Sequence, residues 1–535
     1  MKLTATLLLT ISFAAPFALA QNPAIQHIIV VVQENRTPDD LFQDPNLINA
    51  GADIVSPSVG GLCGTTSVPL QARPLADCAD PDHNHNDKSG GWLGAYDKGK
   101  MDGACVTKME YGHACPSKYP KYTCPANNLG ATDCTEYSYV NDPAIQPYWE
   151  IAEKYGYANY MFQTNQGPSF PAHQFLLSGT SAPGSTQNPD YTYFDAENPQ
   201  KTIDAVNPSD DAGCAALAGQ FAPLVSPTQD ESSTPYPCYE HLTLTDLLDQ
   251  NQPSPITWRY YGDQDNSIWT APNAISHICN NSVSTGGGSC GSGNGSNQDW
   301  NNNVGPYIET TNHLAPFLND LQNCSLAQVT WVVPDGRWSD HPSENIGLGP
   351  DYVANIVNAV GGTGPPANNC GFWNNTVILI VWDDWGGWYD HVNPAKPTGP
   401  GIGYSNDTGG QYVYGFRVPL LVVSTFAKQH YISGPKTSPI YYDFGSILRF
   451  IENTFLPSNT FINPTYPYAD QFVAFGKNDL SDFFGCFTQA CQNPFQPITL
   501  VNNSQLCTQT LCKSNQCDAT CFINYQGSHE DPDTY

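Results

Sequence analysis

The chain reads as an α/β protein built around a mainly parallel sheet. Three observations predict this: short apolar runs recur at wide intervals, helix-like segments lie between them, and no long linker divides Gln21 from about Lys477. The runs cover residues 25–32, 256–261, 329–333, 377–382 and 418–424. Each is continuous and rich in β-branched or aromatic residues, as strands covered on both faces require. Residues 144–155, 241–249 and 352–360 carry helical patterning and suit the crossovers that parallel strands need.

The ends differ from this middle. After Lys2, an apolar run over residues 7–19 closes on Ala18-Leu19-Ala20, the pattern of a cleaved signal peptide over residues 1–20. The run is short for a bilayer span of roughly 20 residues, so no stable membrane insertion is expected. The chain holds 18 cysteines, an even number, which together with an export signal predicts disulfides and a secreted protein, extracellular or periplasmic. Close pairs such as Cys486 and Cys491 lack the two-plus-two spacing and the histidines of zinc modules. Residues 279–303 read as a polar surface loop that a Cys279–Cys290 bridge would close. The Gly-x-Ser-x-Gly from Gly287 to Gly291 follows no strand and fails the context of a nucleophile elbow. Six cysteines crowd into residues 479–535, so a small Cys-rich C-terminal appendage should follow a catalytic domain of residues 21–478.

The formal net charge is -30, with only 13% of residues charged. Such a surface excludes a nucleic-acid partner. It also repels phosphates, so phosphate chemistry here needs a local positive centre or a low working pH.

In parallel sheets, ligands bind beyond the carboxyl ends of the strands. The first run leads into Gln33-Glu34-Asn35-Arg36, and the fourth into Asp383-Asp384, then Gly386-Gly387 and Asp390-His391. Carboxylates and an amide oxygen meeting at one sheet edge form a hard-oxygen site for one divalent cation, since adjacent anions repel unless a counter-charge holds them. The same residue types also cap helices and turns for purely local reasons. In Gly167-Pro168-Ser169, the serine starts a helix. An N-cap and a nucleophile at a phosphate-binding helix end are compatible readings of it, and spacing alone does not choose. His341 and His391 follow the third and fourth runs, while His83 and His85 lie in Asp82-His83-Asn84-His85-Asn86-Asp87. Phosphate-ester cleavage requires a proton for the leaving group, which imidazolium supplies near its ordinary pKa of about 6.5.

These motifs, together with Asp340-His341-Pro342, residues 381–392 and Phe416-Arg417-Val418-Pro419, resemble in order the bacterial phosphoesterase family, which holds non-specific phospholipases C and secreted acid phosphatases of the alkaline phosphatase-like superfold. The resemblance implies a three-layer sandwich and one divalent metal on Glu34, Asn35, Ser169, Asp383 and Asp384. It implies Ser169 as nucleophile through a phosphoserine, and His341, with His391 and His85 as secondary candidates, as proton donors or phosphate contacts. The substrate would be a small phosphate ester or a phospholipid. The chain departs from the family at Phe444, where a histidine is common, and at Asp384, where glutamate is common. Two rivals predict different features. A non-catalytic binding protein on this fold would lack a site residue, and none is missing. A metal-independent serine esterase using Ser169, His391 and an aspartate needs a strand-to-helix elbow, whereas Pro168 and Pro171 flank Ser169.

Overall fold

The computed structural model describes residues 24–501, apart from 87–89, 112–120, 184–192, 202–211, 227–229, 252, 263, 284–285, 295–296, 309–313, 343–346, 364–369, 395–413, 459, 464–467 and 475–478. The expected signal peptide and the four cysteines from Cys507 onward lie outside the described residues.

Seven strands form the central sheet: β1 (His27–Gln33), β2 (Gly156–Ala158), β3 (Trp258–Tyr261), β4 (Val329–Val332), β5 (Thr376–Trp382), β6 (Leu420–Ser424) and β7 (Tyr431–Ser433). Their spatial order is β3-β4-β1-β5-β6-β2-β7. Only β6 runs antiparallel to its neighbours; the other pairings are parallel. All five apolar runs enter this sheet. The two strands the pattern did not announce, β2 and β7, have three residues each, too few for a periodicity to register.

The helices that position the site are α1 (Gln146–Lys154), α2 (Ser169–Ser178), α3 (Leu244–Gln250), α4 (Gly349–Val360) and α5 (Phe444–Phe455). Sheet register shows that they form two layers. Val30 is level with both Trp331 and Leu379, so these two share a face, and Trp382, three residues beyond Leu379, points the other way. The Trp331 indole donates to Leu176 O of α2 at 3.2 Å, whereas Trp382 packs edge-on against Tyr148 of α1. Helix α1 packs on α4, and α2 on α3 and α5, giving the three-layer α/β sandwich that was expected. Local signals set the helix ends. Asp443 and Ser446 form a capping box at the start of α5, Thr243 and Asp246 another at α3, and Gly179 closes α2 in the left-handed conformation.

Six disulfides join described cysteines, including Cys279–Cys290, Cys324–Cys370 and Cys486–Cys491, and no described cysteine is free. Residues 480–500 lie against the sandwich. Phe484 stacks on Phe450 of α5, Phe495 meets Trp373, and Asn358 of α4 exchanges two 2.8 Å hydrogen bonds with the Ile498 backbone. No described helix is long and apolar enough to cross a membrane.

One ionic network binds the segments at the carboxyl edge. Arg417, fully buried just before β6, grips Asp390 with Nε and Nη2 at 2.8 and 2.9 Å and donates to the carbonyls of Asp53 and Asn159. His391 joins in: its Nδ1 lies 2.7 Å from Asp39 and its Nε2 3.1 Å from Asp53. Burial would lower the His391 pKa, but the charge of Asp39 and hydrogen bonds to Asp39 and Asp53 outweigh it and hold the imidazole at about 9. Its charged form therefore stabilises the fold fully below the ordinary pKa of about 6.5, and that stabilisation is lost as pH rises through about 9. Between pH 6 and pH 10, urea unfolding should show the wild type losing on the order of 2–3 kcal/mol more stability than His391→Gln. Arg417→Leu leaves Asp390 without its cation and should cost about 3–5 kcal/mol in the same assay at pH 7.

Candidate active site

The end of the β1–β5 ladder builds the site. Asp383 N–H donates to Gln33 O at 2.9 Å, Asn35 N–H to Asp383 Oδ1 at 2.9 Å, and Arg36 N–H to Asp384 O at 3.1 Å. Two acidic motifs some 350 residues apart are thereby zipped together. Asn35 takes a left-handed φ of 59°, which asparagine tolerates better than most residues. Gly386, also left-handed, lies directly over it, and a Cβ there would stand 2.3 Å from Asn35 O. The glycine after Asp383-Asp384 is thus a requirement of the turn.

Helix α2 brings Ser169 to the same place. Its hydroxyl donates to Asp384 Oδ2 at 3.2 Å. Ser169 is the first helical residue, with Pro168 in the capping position, and its side chain caps nothing, so the purely local reading of this serine does not hold. The helix start is poor in free donors, because Phe170 N–H is taken by Asn198 and Pro171 has none. It offers the helix dipole rather than a cradle of amides. Glu34, Asn35, Ser169, Asp383 and Asp384 are all at 0% exposure.

Two further histidines stand here: His83, named above beside His85, and His173, which was not among the sequence-based candidates. His173 Nε2 lies 3.1 Å from Glu34 Oε1 and 3.7 Å from Asp383 Oδ2. The signal was present, since positions 169 and 173 share a helix face. His83 has Nδ1 2.9 Å from Pro81 O, an arrangement that makes Nδ1 the donor and Nε2 the acceptor for Asn35 Nδ2, also at 2.9 Å. That bond turns Asn35 Oδ1 away from His83. His341 is buried, with its ring near those of His83 and Trp269 and Nδ1 2.6 Å from Pro342 O. Asp340 beside it is pushed up to about 6 by burial, against the charge of Arg36 and hydrogen bonds from Tyr148 and Trp382. The other two histidine candidates are placed elsewhere. His391 has both nitrogens in the Arg417 network, and His85 Nδ1 lies 2.6 Å from Glu231 Oε1 in a cluster with Glu197.

The donor set fits a divalent cation. Three buried carboxylates, an amide and a hydroxyl offer hard oxygens, and Glu34, His173 and Asp383 present atoms within 4.8 Å of one another. Asn35 Oδ1 and Asp383 Oδ2 are buried and accept no hydrogen bond. The one arginine of the motif, Arg36, is directed to Asp40 and the carbonyls of Asp340 and Leu75, and lies over Trp388. It does not neutralise these acids, so a counter-charge is required.

A model of the Phosphoesterase family matches residues 25–456. The hemolytic phospholipase C of Pseudomonas aeruginosa is 32% identical over 146 residues, 25% of this chain and 18% of that protein. Phospholipase C B of Mycobacterium tuberculosis is 28% identical over 151 residues, 26% and 27% of the two chains. The alignments thus span less than a third of these curated relatives. Among solved structures, a protein in the alkaline phosphatase superfamily from Vibrio parahaemolyticus aligns over 59% of this chain and 61% of its own, at 11% identity and a TM-score of 0.28.

If His83 orients Asn35, His83→Ala should weaken Mn²⁺ binding by about 10–100-fold with every carboxylate still in place. Competition against a metal-binding indicator dye measures this, and unchanged affinity would show that Asn35 needs no such support.

Proposed function

The chain belongs to the Phosphoesterase family, and on that premise we propose that it hydrolyses phosphate esters, with Ser169 as nucleophile beside one divalent cation held by Glu34, Asn35, Ser169, Asp383 and Asp384. The observation that carries this reading is the Ser169 hydroxyl, set at the start of a buried helix and bonded to Asp384 at the junction of β1 and β5. Its hydroxyl bonds to a carboxylate and, among the described residues, to no imidazole, which speaks against a metal-independent serine esterase. When bound, the cation supplies positive charge that neutralises the carboxylates and lowers the pKa of the serine hydroxyl.

The protein's own residues do the rest. Asp384 takes up the Ser169 proton as Oγ bonds to phosphorus. The bond from phosphorus to the alcohol oxygen breaks, and His341, with Nδ1 anchored on Pro342 O, delivers a proton from Nε2 to the departing alkoxide. Water then attacks the phosphoserine, the Ser169 oxygen leaves with its proton restored, and phosphate is released. His173 supports Glu34 and Asp383 rather than touching the reacting atoms. Among the described residues, the imidazoles are the positive side chains nearest the Ser169 site, and the acidic surface favours turnover at acidic pH. The disulfides and the N-terminal pattern support action outside the cell.

The purified protein should hydrolyse p-nitrophenyl phosphate or p-nitrophenyl phosphorylcholine between acidic and neutral pH and lose that activity to a chelator. Preference for the first marks a phosphatase, and preference for the second a phospholipase C. Ser169→Ala should abolish turnover with the fold retained by circular dichroism. His341→Asn should lower kcat about 10²–10⁴-fold. Full activity in Ser169→Ala, or in metal-free protein, would refute the mechanism.

A further inference from the structure

A second cluster of metal-ligating groups lies behind the Ser169 helix and takes no part in the chemistry above. His85, Glu197 and Glu231 each present one ligand atom, all within 4.8 Å of one another. They come from three separate segments that the backbone ties together: Glu197 Oε1 accepts Asn86 N–H at 3.1 Å, and His85 Nδ1 lies 2.6 Å from Glu231 Oε1. His85 is 1% exposed and Glu197 3%.

The surroundings of this cluster are rich in acceptors and poor in donors. Nδ1 is the His85 ring nitrogen that faces Glu231, and Nε2 is buried without a hydrogen-bond partner. Glu197 Oε2 is buried without one as well. Asn165 and Asp195 line a cavity with His85, and Asn165 Oδ1 is buried without a donor. Asn165 cannot simply turn over, because its Nδ2 donates to Gly167 O at 3.0 Å. A buried carboxylate oxygen without a donor, set beside a second carboxylate, calls for a positive species, since an unmatched acceptor otherwise carries its full desolvation cost. Burial, followed by the charge of Glu231, raises the Glu197 carboxyl well above the usual range, so the second anion is tolerated only with a proton or a metal upon it.

From this geometry we infer that His85, Glu197 and Glu231 form a second divalent-cation site, separate from the Ser169 site. One imidazole nitrogen with two carboxylates suits a transition ion such as Zn²⁺. The second cation is a brace. Ala196 O packs so close to Gly167 that a Cβ there would stand 2.1 Å away, so an ion holding Glu197 fixes the loop of residues 164–167 that leads into Ser169. This assignment moves His85 from proton transfer to metal binding, and it stands whether or not phosphate esters are the substrate.

The test is metal stoichiometry on the full chain, stripped with chelator, dialysed against Zn²⁺ and measured by elemental mass spectrometry. The wild type should hold two equivalents, Glu197→Gln one, Asp384→Asn one, and the double variant none. One equivalent in the wild type and none in Asp384→Asn would overturn the second site and leave the first standing, as would two equivalents in Glu197→Gln. Should Glu197→Gln fail to fold, X-ray absorption on the Asp384→Asn/His173→Gln double variant, in which the Ser169 site offers no imidazole from His173, decides alone. The remaining Zn²⁺ should show an imidazole ligand, and an all-oxygen shell or no zinc would overturn the inference.

Discussion

The register between β1 and β5 governs the rest of the structure. The two strands lie at the centre of the sheet, paired residue for residue from His27 with Thr376 to Gln33 with Trp382. A slip by one residue would turn every side chain to the opposite face. It would also part Asn35 N–H from Asp383 Oδ1, the bond that brings the two acidic motifs together. The chain meets this demand with strands apolar on both faces, whose burial in one register outweighs the repulsion between the acids that follow. Glu34, Asp383 and Asp384 lie together because the sheet holds them there, not because they attract one another.

Cations are few, and the fold assigns them narrowly. Arg417 and His391 serve Asp39, Asp53 and Asp390, and Arg36 serves Asp40. These pairings hold loops at the carboxyl edge, and they leave the acids of the Ser169 site with imidazoles alone. In a chain of net charge -30, three acids gathered in such a place must be balanced by positive charge from outside the protein's own covalent structure.

Much of this was legible in the sequence. Continuous apolar runs gave the five long strands, and polar residues immediately after two of them gave Glu34, Asn35, Asp383 and Asp384. These signals are local, and the structure keeps local signals. The histidines were harder to read, because a ring nitrogen's partner depends on residues far away in sequence. His83 and His85 are two positions apart, yet one leans on Asn35 and the other on Glu231. His391 sits beside Asp390 in a motif that suggests chemistry, but Arg417, Asp39 and Asp53 converge on it from separate segments. His173 was missed because its neighbours along the helix are apolar and it reads as core. The strands β2 and β7 escaped because three residues carry no period.

The long reach of the central pairing also bears on how the molecule is made. β1 finds its partners only when β4 and β5 exist; even the His27 ring is bonded to Ala327 O, 300 residues away. At roughly 5–20 residues per second, synthesis leaves this apolar strand unpartnered for about 15–60 s. An exposed strand of Ile-Ile-Val-Val-Val composition is a template for association with other chains during that interval. Refolding from denaturant meets the same obstacle, since the closure of so long a loop precedes any reward from the contacts it makes. The pairing that defines the site is therefore also the slow and hazardous step in the protein's birth, and a chaperone that shields the first strand would set the yield of active molecules.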